Sequence, residues 1–162
     1  MDGFKFGAQT GWATALAGVM LRDPLVRQAI RTCDALVPMP LHPLRLAERG
    51  YNQSLLLAQA LRRCTDREEK LDRHQAVVRH DWLLRIRNTQ AQSRLSLAQR
   101  LRNVRQAFAV AANQSSQLHG KRVVLVDDVM TSGASVQAAA QTLRTAGVHQ
   151  LRVVVFARTE KP

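Results

Sequence analysis

At 162 residues the chain has the length of one domain, and residues 1–162 are read as a single unit able to bury a sizeable core. An apolar fraction of 46% is ordinary for a globular protein, no apolar run nears the roughly 20 residues of a membrane span, and Met1-Asp2-Gly3-Phe4-Lys5 lacks the plan of a secretory signal. The cytoplasm is therefore the expected compartment. Twenty-four Lys and Arg against twelve Asp and Glu give +12, carried almost wholly by arginine. That bias suits a phosphorylated ligand gripped by bidentate guanidinium groups, or nucleic acid through counterion release, or a basic surface with no specific partner. Aromatic residues are only 4%, which disfavours a stacking platform for single strands. Cys33 and Cys64 stand apart, with no C-x-x-C pair, and read as idle thiols.

In chain order, Thr10–Met20 is rich in Ala, Gly and Leu and predicts a helix. Asp23-Pro24 starts another, with Asp as N-cap and Pro at the first helical position. Ala35-Leu36-Val37 predicts a short strand stopped by Pro38 and Pro40. Asn52–Cys64 predicts a largely buried helix, because apolar residues occupy most of its faces. Thr65–Arg73 reads as an exposed connector, Ala76–Ile86 as one strand, and Arg87–Ser96 as a polar, basic, mobile loop. A short helix at Leu97–Val104, a strand at Ala107–Ala111 and a surface turn at Asn113–Gly120 follow. Arg122–Val126 is an uninterrupted apolar, β-branched run, as expected of a strand buried on both faces of a parallel sheet. Ala134–Ala146 predicts a helix ended by Gly147, and Leu151–Phe156 a second buried strand. Strand, helix and strand in that order make a right-handed crossover, so the predicted class is α/β with a mostly parallel sheet flanked by helices.

VVLVDDVMTSGAS, Val123–Ser135, carries the chemistry. It sets Asp127 and Asp128 at the C-terminal end of a buried strand, the edge of an open α/β sheet where ligands sit. Adjacent carboxylates repel, so ribose hydroxyls, a metal or basic neighbours must compensate them. Thr131, Ser132, Gly133, Ala134 and Ser135 follow at once. Small hydroxyl residues and a glycine let the turn wrap tightly and aim N–H groups inward, and the next helix adds its dipole, which together suit a phosphate. A carboxylate pair for a sugar and a nest for its phosphate describe a ribose 5-phosphate. Two plainer readings compete. One is the second acidic motif of a P-loop ATPase, for which the required G-x-x-x-x-G-K-[ST] loop is missing from the sequence. In the other, the aspartates merely start a turn and Ser132 merely caps a helix.

With four apolar residues, two acidics, two variable positions, two Thr/Ser and Gly, the segment resembles the PRPP (phosphoribosyl pyrophosphate) motif of type I phosphoribosyltransferases. The resemblance implies that fold, with Asp127 and Asp128 on the ribose hydroxyls as the catalytic pair and Thr131 through Ser135 on the 5-phosphate. LVPMPLHPLRLAERGYNQSLLLAQAL (Leu36–Leu61), RIRNTQAQSRLSLAQRLRNVRQAF (Arg85–Phe108) and Phe4-Lys5-Phe6 are similar to the ComF competence-protein branch, GntX-like DNA-utilisation proteins included. The Arg49–Gln53 block, RGYNQ, is specific to that branch. ComF-type proteins usually open with a cysteine-rich zinc segment ahead of the Phe-Lys-Phe stretch. It is absent from this sequence, so no zinc is expected in this chain.

The same resemblance makes Pro38–Pro43 the pyrophosphate loop, placing Met39, Pro40 and His42 at the substrate, with Arg45 and Arg49 close in sequence to neutralise its oxygens. Prolines would stiffen such a loop; a proline-capped strand beside exposed basic residues is the alternative. Arg87, Thr89, Gln92 and Arg94 fall in the mobile loop that would close over PRPP and exclude water; the alternative is a solvated basic loop. Mg²⁺ is expected with PRPP, held through the ligand near Asp127 and Asp128 rather than by direct protein ligands, and no general base is assigned. The implied partners are PRPP or a nucleotide, with single-stranded DNA and competence or DNA-uptake proteins implied by the branch. Three functions stay open: phosphoribosyl transfer to an unknown acceptor, PRPP or nucleotide binding without catalysis in DNA uptake or utilisation, and a non-catalytic single-stranded DNA-binding competence protein with a vestigial sugar-phosphate site.

Overall fold

The computed structural model describes residues 3–68, 76–88 and 106–159. Helices α1 (Gly3–Met20) and α2 (Pro24–Thr32) lead to strand β1 (Ala35–Pro38), then to α3 (Pro43–Arg49) and α4 (Gln53–Glu68). Short strands β2 (Val77–Val78), β3 (Leu83–Arg85) and β4 (Phe108–Val110) follow, then a 3₁₀ turn at Ala112–Gln114 and α5 (Ser115–Leu118). The chain closes with β5 (Arg122–Met130), α6 (Ala134–Thr145) and β6 (Gln150–Arg158).

Four strands form a parallel sheet in the order β2-β1-β5-β6, with β5 central and apolar throughout Val123–Val126. Alternation sends Leu36, Val124 and Val126 into a core with α1, α2 and α4. Val37, Val123 and Leu125 point the other way, into a core with α6 and the β3–β4 hairpin. The layers are those of an α/β domain and the β5-α6-β6 unit is present, but β6 is an edge strand and not the buried one expected: Val154 is buried while Val153 and Phe156 are exposed. Asp34 fixes the β1–β5 register by accepting from the Arg122 backbone N–H at 2.7 Å and its Nη2 at 2.8 Å. Asp23 caps α2 by accepting from the Leu25 N–H at 2.8 Å. Gly147, at φ 91°, ends α6 in the left-handed region.

Several elements depart from expectation. Ala76–Ile86 is not one strand. The turn at Arg79–Asp81, closed by Arg79 Nε on Asp81 Oδ1 at 3.0 Å, separates β2 of the main sheet from β3, which pairs antiparallel with β4. Thr65–Glu68 continues α4 instead of starting a connector. Pro43–Arg49 is helical, with His42 as N-cap and Gly50 at φ 80° as C-cap. Asn113–Gly120 includes a helical turn whose Leu118 is buried. The expected helix at Leu97–Val104 lies outside the described residues. No helix among the described residues is long and apolar enough to cross a membrane.

Candidate functional site

Strand β5 outlasts β1. Pro38 pairs with Val126 and the Met39 N–H donates to the Val126 carbonyl at 2.8 Å, after which β1 ends and β5 runs on beside β6 alone. The prolines at 38 and 40 supply no N–H to prolong the ladder. Asp127 and Asp128 are thus the first polar residues beyond the buried stretch, half-buried at the lip of the sheet. A pocket of about 200 Å³ opens there, and its walls include Met39, Pro40, Arg49, Asp127, Asp128 and the whole turn from Thr131 to Ser135.

The turn passes through Gly133 at φ 73°, a left-handed conformation that suits glycine, and delivers the chain into α6. Ser132 Oγ lies only 3.5 Å from the Ala134 N–H, so capping is a poor account of that hydroxyl. Burial, with Asp128 alongside, pushes the Asp127 carboxyl up to about 6, against the opposing pull of a hydrogen bond from Ser54. Ser54 donates through Oγ to Asp127 Oδ1 at 3.0 Å and lies 3.5 Å from Asp128 Oδ1. The Asp128 N–H also donates to Asp127 Oδ1, at 3.1 Å.

Three polar lining residues were not assigned to the site from the sequence: Gln53, Ser54 and Arg85. Ser54 is the deeply buried polar side chain among the described residues, and a lone serine on an otherwise apolar helix face was the available signal. Arg85 reaches the pocket from β3. Burial lowers its pKa, and the nearby Arg45 charge lowers it further, while Asp127 acts oppositely. Arg45 itself is exposed on α3 and does not line the pocket. His42 is not brought into it either: its Nδ1 accepts from the Leu44 N–H at 3.3 Å, and the residue lines a neighbouring apolar recess with Tyr51, Leu55 and Ile86. Arg87 is exposed beyond β3, and Thr89, Gln92 and Arg94 lie outside the described residues.

A parallel sheet whose acidic pair and hydroxyl-glycine turn share one pocket at the strand ends defines a type I phosphoribosyltransferase-like α/β domain. Solved structures share that fold. The glutamine PRPP amidotransferase of B. subtilis, complexed with ADP and GMP, matches over 89% of this chain and 26% of its own, at a TM-score of 0.51 and 21% identity. The phosphoribosyl transferase domain model matches residues 69–162. Competence protein F of Haemophilus influenzae is 32% identical over 158 residues, 96% of this chain and 65% of that protein. DNA utilization protein YhgH of Salmonella typhimurium is 31% identical over 158 residues, 96% of this chain and 64% of that protein. The chain thus spans just under two thirds of the length of these relatives. It belongs to the phosphoribosyl transferase domain family, as a ComF-type member.

Proposed function

We propose that this domain binds PRPP, with the ribose hydroxyls on Asp127 and Asp128, the 5-phosphate in the Thr131–Ser135 turn, and the pyrophosphate toward Met39, Pro40, Arg49 and Arg85. The observation that carries the proposal is the convergence of carboxylates, hydroxyl-glycine turn and guanidinium groups from three separate segments on one pocket. The division of labour is electrostatic. A single phosphate suits backbone N–H groups at the start of a 12-residue helix, whereas a pyrophosphate needs side-chain cations.

The acidic pair suits a cation arriving with the ligand, since burial, with Asp128 alongside, holds the Asp127 carboxyl near 6. Bound with PRPP, Mg²⁺ would neutralise pyrophosphate oxygens and polarise the ribose hydroxyls. Asp127 and Asp128 would orient those hydroxyls, and Arg49 and Arg85 would stabilise charge growing on a departing pyrophosphate. Transfer to an acceptor is the activity this arrangement supports. The test is calorimetric titration with PRPP and Mg²⁺, with Asp127→Asn/Asp128→Asn as comparison. Binding is expected in the wild type and a loss of tenfold or more in the double variant; equal affinities would refute the site.

The names of its relatives support a role in DNA uptake or utilisation. A charge of +12 favours a second reading beside the first, direct contact with single-stranded DNA through arginine.

A further inference from the structure

Three consecutive residues at the start of α4 each bond a different wall of the pocket. Asn52 donates through Nδ2 to the Met39 carbonyl at 3.0 Å, while its Oδ1 accepts from the Leu55 N–H at 3.3 Å. Gln53 accepts at Oε1 from Arg49 Nη1 at 2.9 Å. Ser54 donates to Asp127 Oδ1 at 3.0 Å. The loop after β1, the basic helix α3 and the acidic end of β5 are thereby tied to one helical turn, across sequence separations as large as 73 residues.

The detail at Asp127 is directional. Ser54 Oγ and the Asp128 N–H both donate to the same oxygen, Oδ1. Two donors on one oxygen fix the carboxylate plane and leave Oδ2 as the oxygen with open acceptor capacity. Ser54 is 4% exposed on a packed helix, so its hydroxyl has little freedom to wander and holds that plane from the pocket wall.

We infer that Asn52-Gln53-Ser54 is a positioning clip, in which Ser54 dedicates one Asp127 oxygen to the ribose hydroxyls and Gln53 aims Arg49 at the pyrophosphate. The inference rests on the PRPP reading of the pocket and adds residues that act there through Asp127 and Arg49. It predicts a crossover that general loosening of the fold cannot produce. Affinity for ribose 5-phosphate with Mg²⁺ falls about tenfold in Ser54→Ala, the equivalent of one lost hydrogen bond to a charged group, and stays within about twofold in Gln53→Ala. Affinity for inorganic pyrophosphate with Mg²⁺ shows the reverse.

Calorimetry on both variants reads this directly. Equal losses for both ligands in each variant, or no loss in either, would overturn the clip. A ligand-free measurement separates its failure from that of the pocket reading. Because the Asp128 N–H shares Asp127 Oδ1 with Ser54, its amide resonance is displaced in Ser54→Ala and stays in place in Gln53→Ala. Should the wild type bind neither ligand, the PRPP reading falls, and this resonance alone decides the Ser54 arm: displaced, the carboxylate-holding role stands; unmoved, it falls as well.

Discussion

Replacing Asp127 by asparagine should stabilise the empty protein while weakening its ligand. Asparagine keeps the shape and an Oδ1 able to accept from both Ser54 and the Asp128 N–H, so the change removes charge and little else. In the folded protein the carboxyl is raised from its ordinary 3.8 to about 6, chiefly by burial. The folded state therefore holds this proton more tightly than the unfolded chain. Its favourable contribution is fully present below about pH 4 and is lost as pH rises through about 6. The gap corresponds to about 3 kcal/mol at neutral pH. The side chain is half-buried and keeps contact with water, which trims the figure to about 1–2 kcal/mol. Asp127→Asn escapes that penalty, and its melting temperature should exceed the wild-type value by about 2–8 °C near neutrality. Well below about pH 4, where the wild-type carboxyl becomes neutral in the unfolded state as well, the difference should close. Scanning calorimetry of both proteins across that range is the assay. Asp127→Asn adds one unit to the +12 charge near neutrality, a small increase in repulsion that opposes the expected gain, so the pH dependence of the difference is the informative quantity. A lower melting temperature for Asp127→Asn at neutral pH, or an offset independent of pH, would refute the reasoning.

Two further outcomes test the site and the charge. Arg49→Ala and Arg85→Ala should weaken PRPP and free pyrophosphate far more than ribose 5-phosphate, about tenfold against about twofold, with Arg45→Ala milder because its side chain stands outside the pocket lining. A bulky residue at Ser135 should do the opposite by filling the turn; titration of the three ligands checks both, and parallel losses would void the division of the pocket. Single-stranded DNA, if bound through arginine, should show little base preference and a steep fall in affinity with salt. Fluorescence anisotropy between low and physiological ionic strength measures this, and a flat response would count decisively against it.

What could be read from the sequence was whatever depends on neighbours along the chain. The run Arg122–Val126, the acidic pair and the glycine turn into α6 agree with one another within two dozen residues, and they were found where expected. Elements whose signal is not local were misread. Ala76–Ile86 mixes β-branched, aromatic and basic residues and has no glycine or proline, so Asp81 alone hinted at its break, which is made by Arg79 clasping Asp81 and reaching Gln114 at 2.8 Å. Helix α3 starts with a histidine cap, outside the usual Ser, Thr, Asp and Asn set, and it leaves Arg45 outside the pocket that Arg49 lines. Ser54 could be noticed as a polar residue on an apolar face, but its partner lies 73 residues away and only the tertiary fold introduces them.

Asp127 marks the point where local and global demands conflict. A carboxylate raised to about 6, beside a second carboxylate and over a buried serine, costs the empty fold stability that an asparagine would restore. A turn needs an Asp or Asn of either kind and gives no reason to keep the charged one. A polyhydroxylated ligand bringing its own cation does: the oxygen left open by Ser54 would gain a donor, and the repulsion between neighbours would gain a counter-charge. Local strain of this kind collects where binding repays it, so the ligand reading accounts for the pair and the turn reading leaves its expense unexplained.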